Sequence, residues 1–162
     1  MLDVISFQYS SELDLQYKAD GHRHIRVPMF FNKVSFINHA VYFIFDTGAY
    51  LTVLSRKTAR KLGYDKIKPI QSRIKLTGFA DSQCEGDLVE IPAMMIGGRM
   101  IEDVRVAIPY VVTEDDILGL NVLEYFNYLI DSANDKIYFS DNPVYKAPKE
   151  LGCGKITPVS KN

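Results

Sequence analysis

Tryptophan is absent from the 162 residues, and cysteine occurs only twice. Cys84 and Cys153 lie far apart and form neither a disulfide framework nor a metal-type pair, so they read as reduced thiols. The N-terminus, MLDVISFQYSSELDLQY, has no basic start ahead of an apolar stretch and is not read as a secretory signal. The longest apolar run, from Ala40 to Phe45, is far too short to span a membrane. An excess of charge is missing as well: 19 Lys and Arg against 20 Asp and Glu leave a net charge of −1, which gives no general grip on nucleic acid. There is no glycine period, internal repeat or low-complexity stretch. These absences predict a cytoplasmic globular chain with neither nucleic acid nor membrane as a partner.

What remains reads mostly as strand. Apolar residues make up 47% and charged residues 24%, ordinary for a chain of one-domain length. Leu13, Leu15 and Tyr17 alternate with Asp14 and Gln16 in the half-buried strand period, and Asp20-Gly21 predicts a turn. Extended runs follow over 25–31, with Pro28 at an edge or irregular position, and over 34–37 and 41–45 as a hairpin around Asn38-His39. Further strands are predicted over 73–77, 87–91, 93–96 and 104–108, with Gly97-Gly98-Arg99 as a hairpin turn. A last hairpin joins 128–130 to 136–139 around Ser132-Ala133-Asn134-Asp135. Two short helices are expected. One runs from a Ser55 cap through Leu62 to a Gly63 stop, with Arg56, Lys57, Arg60 and Lys61 on its wet face; the other covers 120–126, entered from Gly119. The pattern predicts a mainly β fold, a small barrel or folded sheet. Residues 141–162, with three prolines and little periodicity, predict a loose tail.

Chemistry concentrates in Phe43-Ile44-Phe45-Asp46-Thr47-Gly48-Ala49. An apolar strand delivers a carboxylate, and a hydroxyl and a glycine follow at once. Glycine lets the backbone turn sharply and bring amides close to the carboxylate. Those donors favour the charged form while burial beside apolar strands opposes it, which makes Asp46 a candidate for acid–base work. Taken alone, Asp-Thr-Gly is better explained as a strand-to-turn junction in which Asp46 bonds its own loop. About seventy residues later, however, Asp116-Ile117-Leu118-Gly119-Leu120-Asn121-Val122-Leu123 presents an apolar pair, a glycine and a short helix.

Together these segments resemble the retropepsin-like aspartic peptidases, the single-domain family that includes the retroviral proteases. The similarity covers residues 25–140, with the family's elements in order: two strands, Asp-Thr-Gly-Ala, a short helix, a β-hairpin flap, more strands, Ile-Leu-Gly and a helix. It implies a small closed β-barrel-like acid-protease fold with one lobe per chain, homodimeric, with extensions over 1–24 and 141–162. Asp131-Ser132-Ala133 lacks the glycine of a second motif and falls in a predicted turn, so each chain offers one catalytic Asp.

By this resemblance Asp46 of each subunit meets its mate at the symmetry axis. Two carboxylates a hydrogen bond apart cannot both ionise cheaply and share one proton, behaviour for which aspartic proteases are the standard example. One Asp46 then acts as base on a water while its protonated mate polarises the scissile carbonyl. Thr47 is implied to bond across the dimer and Gly48 to offer its amide to the carboxylate, with no metal or cofactor required. Residues 73–91 match the flap. Gly78, Phe79, Ala80 and Asp81 at its tip, with Ala49, become the implied contacts for an extended polypeptide substrate. Two features depart from the retroviral pattern: Leu120 replaces an arginine that commonly braces the dimer, and both chain ends are longer than the termini those dimers pair.

Other signals carry less. His22, His24 and His39 read as solvated strand positions, since a zinc site needs further ligands and supporting groups. Glu114-Asp115-Asp116 reads as a solvated acidic loop without EF-hand spacing. Cys84 reads as a small apolar filler or a redox-sensitive point near the flap tip. The aromatic stretch 125–128 reads as core, and no phosphate-binding glycine loop is present. Two functions follow: an aspartic endopeptidase, or a non-catalytic module that keeps the fold to bind a peptide or to dimerise. Intact Asp-Thr-Gly-Ala favours the first, because a binder gains little from a costly carboxylate pair.

Overall fold

Strand-forming sequence dominates the observed architecture. The computed structural model describes residues 11–14, 16–17, 24–31, 40–79, 82–131, 133–134, 136–142 and 155–158. In chain order the strands are β1 (Ser11–Asp14), β2 (Gln16–Tyr17), β3 (Ile25–Phe30), β4 (Val41–Phe45), β5 (Gln71–Phe79) and β6 (Ser82–Ile96). They continue as β7 (Arg99–Pro109), β8 (Asp116–Leu118), β9 (Phe126–Asp131), β10 (Lys136–Asp141) and β11 (Lys155–Pro158). Helices α1 (Arg56–Leu62) and α2 (Leu120–Leu123) and a 3₁₀ turn at Tyr64–Lys66 interrupt them.

The larger sheet runs β11-β7-β6-β3-β4-β8, with β2 added to β3 and β5 to β6; β1-β10-β9 forms a second sheet. Between the strands, Val27, Met29, Phe43, Ile91, Met94, Ile101 and Leu118 are fully buried. Side chains of this size contribute about 1.5–3 kcal/mol each when removed from water. Pro28 lies where β3 changes neighbours, between its pairing with β2 at Ile25 and Arg26 and its pairing with β6 at Met29 and Phe30. A residue without an N–H is tolerated at such a step.

Helix α1 begins and ends as its sequence predicts. The Ser55 hydroxyl accepts the Thr58 amide, and Gly63 closes the last turn with bonds to the carbonyls of Ala59 and Arg60. Elsewhere the elements differ from expectation. The runs 87–91 and 93–96 form one strand, β6, continuing through Pro92. The second helix stops at Leu123, because from Phe126 the chain pairs with β10 as strand β9. Residues 155–158 of the expected loose tail pair with β7, Lys155 opposite Glu102 and Pro158 opposite Arg99. At the other end, β1 pairs with β10. The Asp20-Gly21 turn and the 34–39 part of the first hairpin lie outside the described residues.

Candidate active site

Strand β4 buries Phe43 and Ile44 and delivers Asp46 at its end. β8 lies parallel beside it, Phe45 opposite Leu118, and the Asp46 amide donates to the Leu118 carbonyl at 3.1 Å. The loop then turns back on its own carboxylate: the Gly48 amide donates to Asp46 Oδ1 at 2.8 Å.

The start of α2 clamps the rest of this loop. A helix leaves its first amides without intrahelical partners. Here Leu120 donates to the Ala49 carbonyl at 2.8 Å and Asn121 to the Tyr50 carbonyl at 3.0 Å. That approach requires glycine at 119, where a Cβ would lie 2.5 Å from the Leu51 carbonyl group. Asn121, nearly buried, accepts both the Thr52 amide (2.7 Å) and the Thr52 hydroxyl (2.9 Å) on Oδ1 and donates to the Arg105 carbonyl. The Thr52 hydroxyl in turn accepts the Gly119 amide at 3.1 Å. The segment continues between β8 and β7, with Val53 bonded to Ile117 and its neighbours Thr52 and Leu54 bonded to Ala107.

Behind this floor sits Asp116, 4% exposed. Its Oδ1 accepts the Ser55 amide and its Oδ2 the Thr58 hydroxyl, both at 2.7 Å. Burial pushes its carboxyl above the ordinary value, against the pull of those donors. The expectation of a solvated acidic loop is therefore wrong for Asp116, which ties the start of α1 to β8. Its neighbour Asp115 pairs with Arg26 at 2.8 Å.

A cleft of about 490 Å³ opens over Asp46. Gly48, Ala49, Tyr50, Leu51, Val53 and Ile117 line it from below, and Lys75, Leu76 and Thr77 of β5 line it from above. Under β5, Leu76 packs with Cys84, Val53 and Ala107 in a small apolar cluster. Among the described residues no cluster of His, Cys, Asp or Glu could hold a metal, and no helix is long and apolar enough to cross a membrane.

The structure thus gathers Asp46, Gly48 and Ala49 in one cleft, with Thr47 exposed at its turn. The backbone of Gly78 and Phe79 continues β5, and Phe79 pairs with Ser82 across the hairpin; Ala80 and Asp81 lie outside the described residues. His24 is exposed, whereas His22, His39 and Cys153 lie outside the described residues. Asp131 serves its turn, accepting the amides of Ala133 and Asn134 and the Asn134 side chain. Sequence reasoning missed Thr52, Asn121 and Asp116. The signal available for Asn121 was a polar residue inside an otherwise apolar helix, a setting that demands hydrogen-bond partners.

A mainly β fold that carries Asp-Thr-Gly from the end of one strand onto a cleft floor, beside an Ile-Leu-Gly strand, defines the retropepsin-like class of aspartic proteases. The crystal structure of a retropepsin-like aspartic protease from Rickettsia conorii has the same fold, with a TM-score of 0.55 and 22% identity over 82% of this chain and 95% of that one. A family model described as "gag-polyprotein putative aspartyl protease" matches residues 32–125, more than half of the chain, and the chain belongs to that family. No curated protein matches it.

Proposed function

We propose that the chain is an aspartic endopeptidase that works as a homodimer, hydrolysing peptide bonds with a water activated between two Asp46 carboxylates, one from each subunit. The observation that carries this reading is Asp46 itself. It stands at the floor of the cleft with one oxygen held by the Gly48 amide, on a loop clamped by α2.

In the dimer the two carboxylates hold one proton between them. The ionised Asp46 takes a proton from water as the water oxygen attacks the scissile carbon, while its protonated mate donates to the carbonyl oxygen. Collapse of the tetrahedral gem-diol breaks the C–N bond: the leaving amine takes the proton held by one Asp46 while the other Asp46 takes one from a gem-diol hydroxyl, which leaves a carboxylic acid and a pair that again holds one proton. Thr47 bonds across the axis and holds the two loops at this spacing. Ala49 and the hairpin tip, Gly78 to Asp81, grip the peptide in an extended conformation by strand-like backbone bonds. Residues 25–140 form the catalytic unit, and the segments before and after it add strands to its sheets. No cofactor takes part, and the setting is the cytoplasm.

Among the described residues β9 is the outer strand of its sheet, and this edge supports assembly. Tyr128, Leu129 and Ile130 on this sheet-edge strand are 37%, 47% and 37% exposed, and such an edge invites pairing with another chain. Tyr128 also packs edge-on against Phe45, the residue before Asp46, at 4.9 Å. A second copy seated on β9 therefore reaches the base of the catalytic loop through Tyr128.

The test is cleavage of an unfolded protein mixture from acidic to neutral pH at high protein concentration, beside Asp46→Asn, with the mass in solution measured in parallel. Cleavage by the wild-type dimer alone is expected. Cleavage by both proteins, or by a strict monomer, sinks the mechanism.

A further inference from the structure

The ladder between β6 and β7 ends where Gly86 faces Pro109. Beyond that point β5 is the one strand paired with β6 among the described residues, and the two form an arm whose base stays packed on the body, Leu76 and Cys84 lying against Val53 and Ala107. The arm residues just past the departure, Lys75, Leu76 and Thr77, are the ones that line the Asp46 cleft.

Both strands are irregular at the departure. In β5 the register slips between Gln71 and Ile74, and Arg73 takes φ 58°, a left-handed conformation that is costly for a residue with a side chain. In β6, Gly86 lies so close to β7 that a Cβ would stand 2.6 Å from the Ile108 carbonyl oxygen. A strained bulge persists only where its surroundings hold it.

Tyr110 supplies that hold. Its amide donates to the Glu85 carbonyl at 2.8 Å, and its own carbonyl accepts from the Arg56 guanidinium at the start of α1 at 3.2 Å. Its phenol accepts the Arg73 amide at 3.2 Å and donates to Asp87 Oδ1 at 2.5 Å. One side chain thus ties the bulge of β5 to β6, while its backbone is tied to the helix that follows the cleft floor. The Arg73–Glu85 ion pair across the arm is solvent-exposed and contributes little.

We infer that Tyr110 is a positioning residue for the proposed reaction: its phenol clasps the Arg73 bulge to Asp87 and so fixes the direction in which the β5–β6 arm reaches over Asp46. This rests on the peptidase reading for its consequence, but not for its structural content.

The decisive variant is Tyr110→Phe, which keeps the ring and removes only the hydroxyl. Its KM for an extended peptide is expected to rise about fivefold with kcat within about twofold of wild type. Amide exchange in the arm, over 74–86, is expected to accelerate about tenfold while the thermal midpoint stays in place. Asp87→Ala should reproduce both effects, and Asp87→Asn, which retains an acceptor oxygen, should restore wild-type behaviour. A purely structural phenol would instead lower the thermal midpoint and leave KM and arm exchange unmoved. That result, or a Tyr110→Phe protein identical to wild type, overturns the inference. If the wild type cuts nothing, the peptidase reading falls, and arm exchange alone decides whether the clasp exists.

Discussion

Asp46 and Asp116 belong to neighbouring parallel strands, one just past the end of β4 and the other at the start of β8. Asp46 is half-buried, faces the cleft and receives the Gly48 amide on one oxygen; its second oxygen has no hydrogen bond among the described residues. Asp116 is enclosed, and each of its oxygens already serves a donor. The difference lies in which lone pairs are left free. A carboxylate with spare acceptor capacity beside a cavity can meet water and exchange a proton. One whose oxygens are engaged by a backbone amide and a hydroxyl can only hold its surroundings in place. The same residue type, a short distance away on the neighbouring strand, keeps an open acceptor in one setting and is a rivet in the other.

Substitutions at the two positions should therefore separate cleanly. Asp46→Asn is expected to reduce cleavage by at least about a thousandfold while leaving the urea midpoint unchanged. A large stability loss at that position would break the comparison. Asp116→Ala should do the opposite, costing about 3 kcal/mol in urea unfolding because it strands the Ser55 amide and the Thr58 hydroxyl without an acceptor. A stable Asp116→Ala protein would show that the buried carboxylate holds nothing.

A smaller effect sharpens the contrast by pH. Burial raises the Asp116 carboxyl above its ordinary 3.8, so the folded protein binds this proton more tightly than the unfolded chain does. The stability tied to that proton is fully present below 3.8 and is lost as pH rises through the elevated folded value. Urea unfolding of the wild type should show this decline, and Asp116→Asn should flatten it. The smallest change is expected one residue earlier. Asp115 is 45% exposed in its pair with Arg26, so Asp115→Asn should cost at most about 1 kcal/mol.

The strand pattern, both caps of α1, the Gly97-Gly98 turn and the last hairpin were legible because each rests on local chemistry: side-chain alternation, a serine before a helix, glycines between strands. The strand-to-loop junction at Asp46 was legible as well, since Phe43-Ile44-Phe45 in front of Asp-Thr-Gly states both the strand and its end. What escaped was set by distant partners. Phe126 leaves the helical pattern because β10 waits for it, and Lys155–Pro158 becomes strand only because β7 offers an edge. Asp116 looks solvated in an acidic run, and its burial depends on Ser55 and Thr58, some sixty residues earlier. The bulge at Arg73 likewise needs a tyrosine 37 positions away.

The long reach of these pairings sets a schedule. Ser11 faces Phe139, and Phe45 lies beside Leu118. Contacts between such distant positions form slowly, because the loop between them must first be closed. A chain emerging from the ribosome as far as β7 already carries Asp46, but it lacks the β8 and α2 segments that seat the loop around it. Among the described residues β1 has no hydrogen-bonded partner strand until β10 is synthesised. The topology therefore acts as a clock during translation: the acidic group is made early and given its working address late, once nearly the whole chain is available to fold around it.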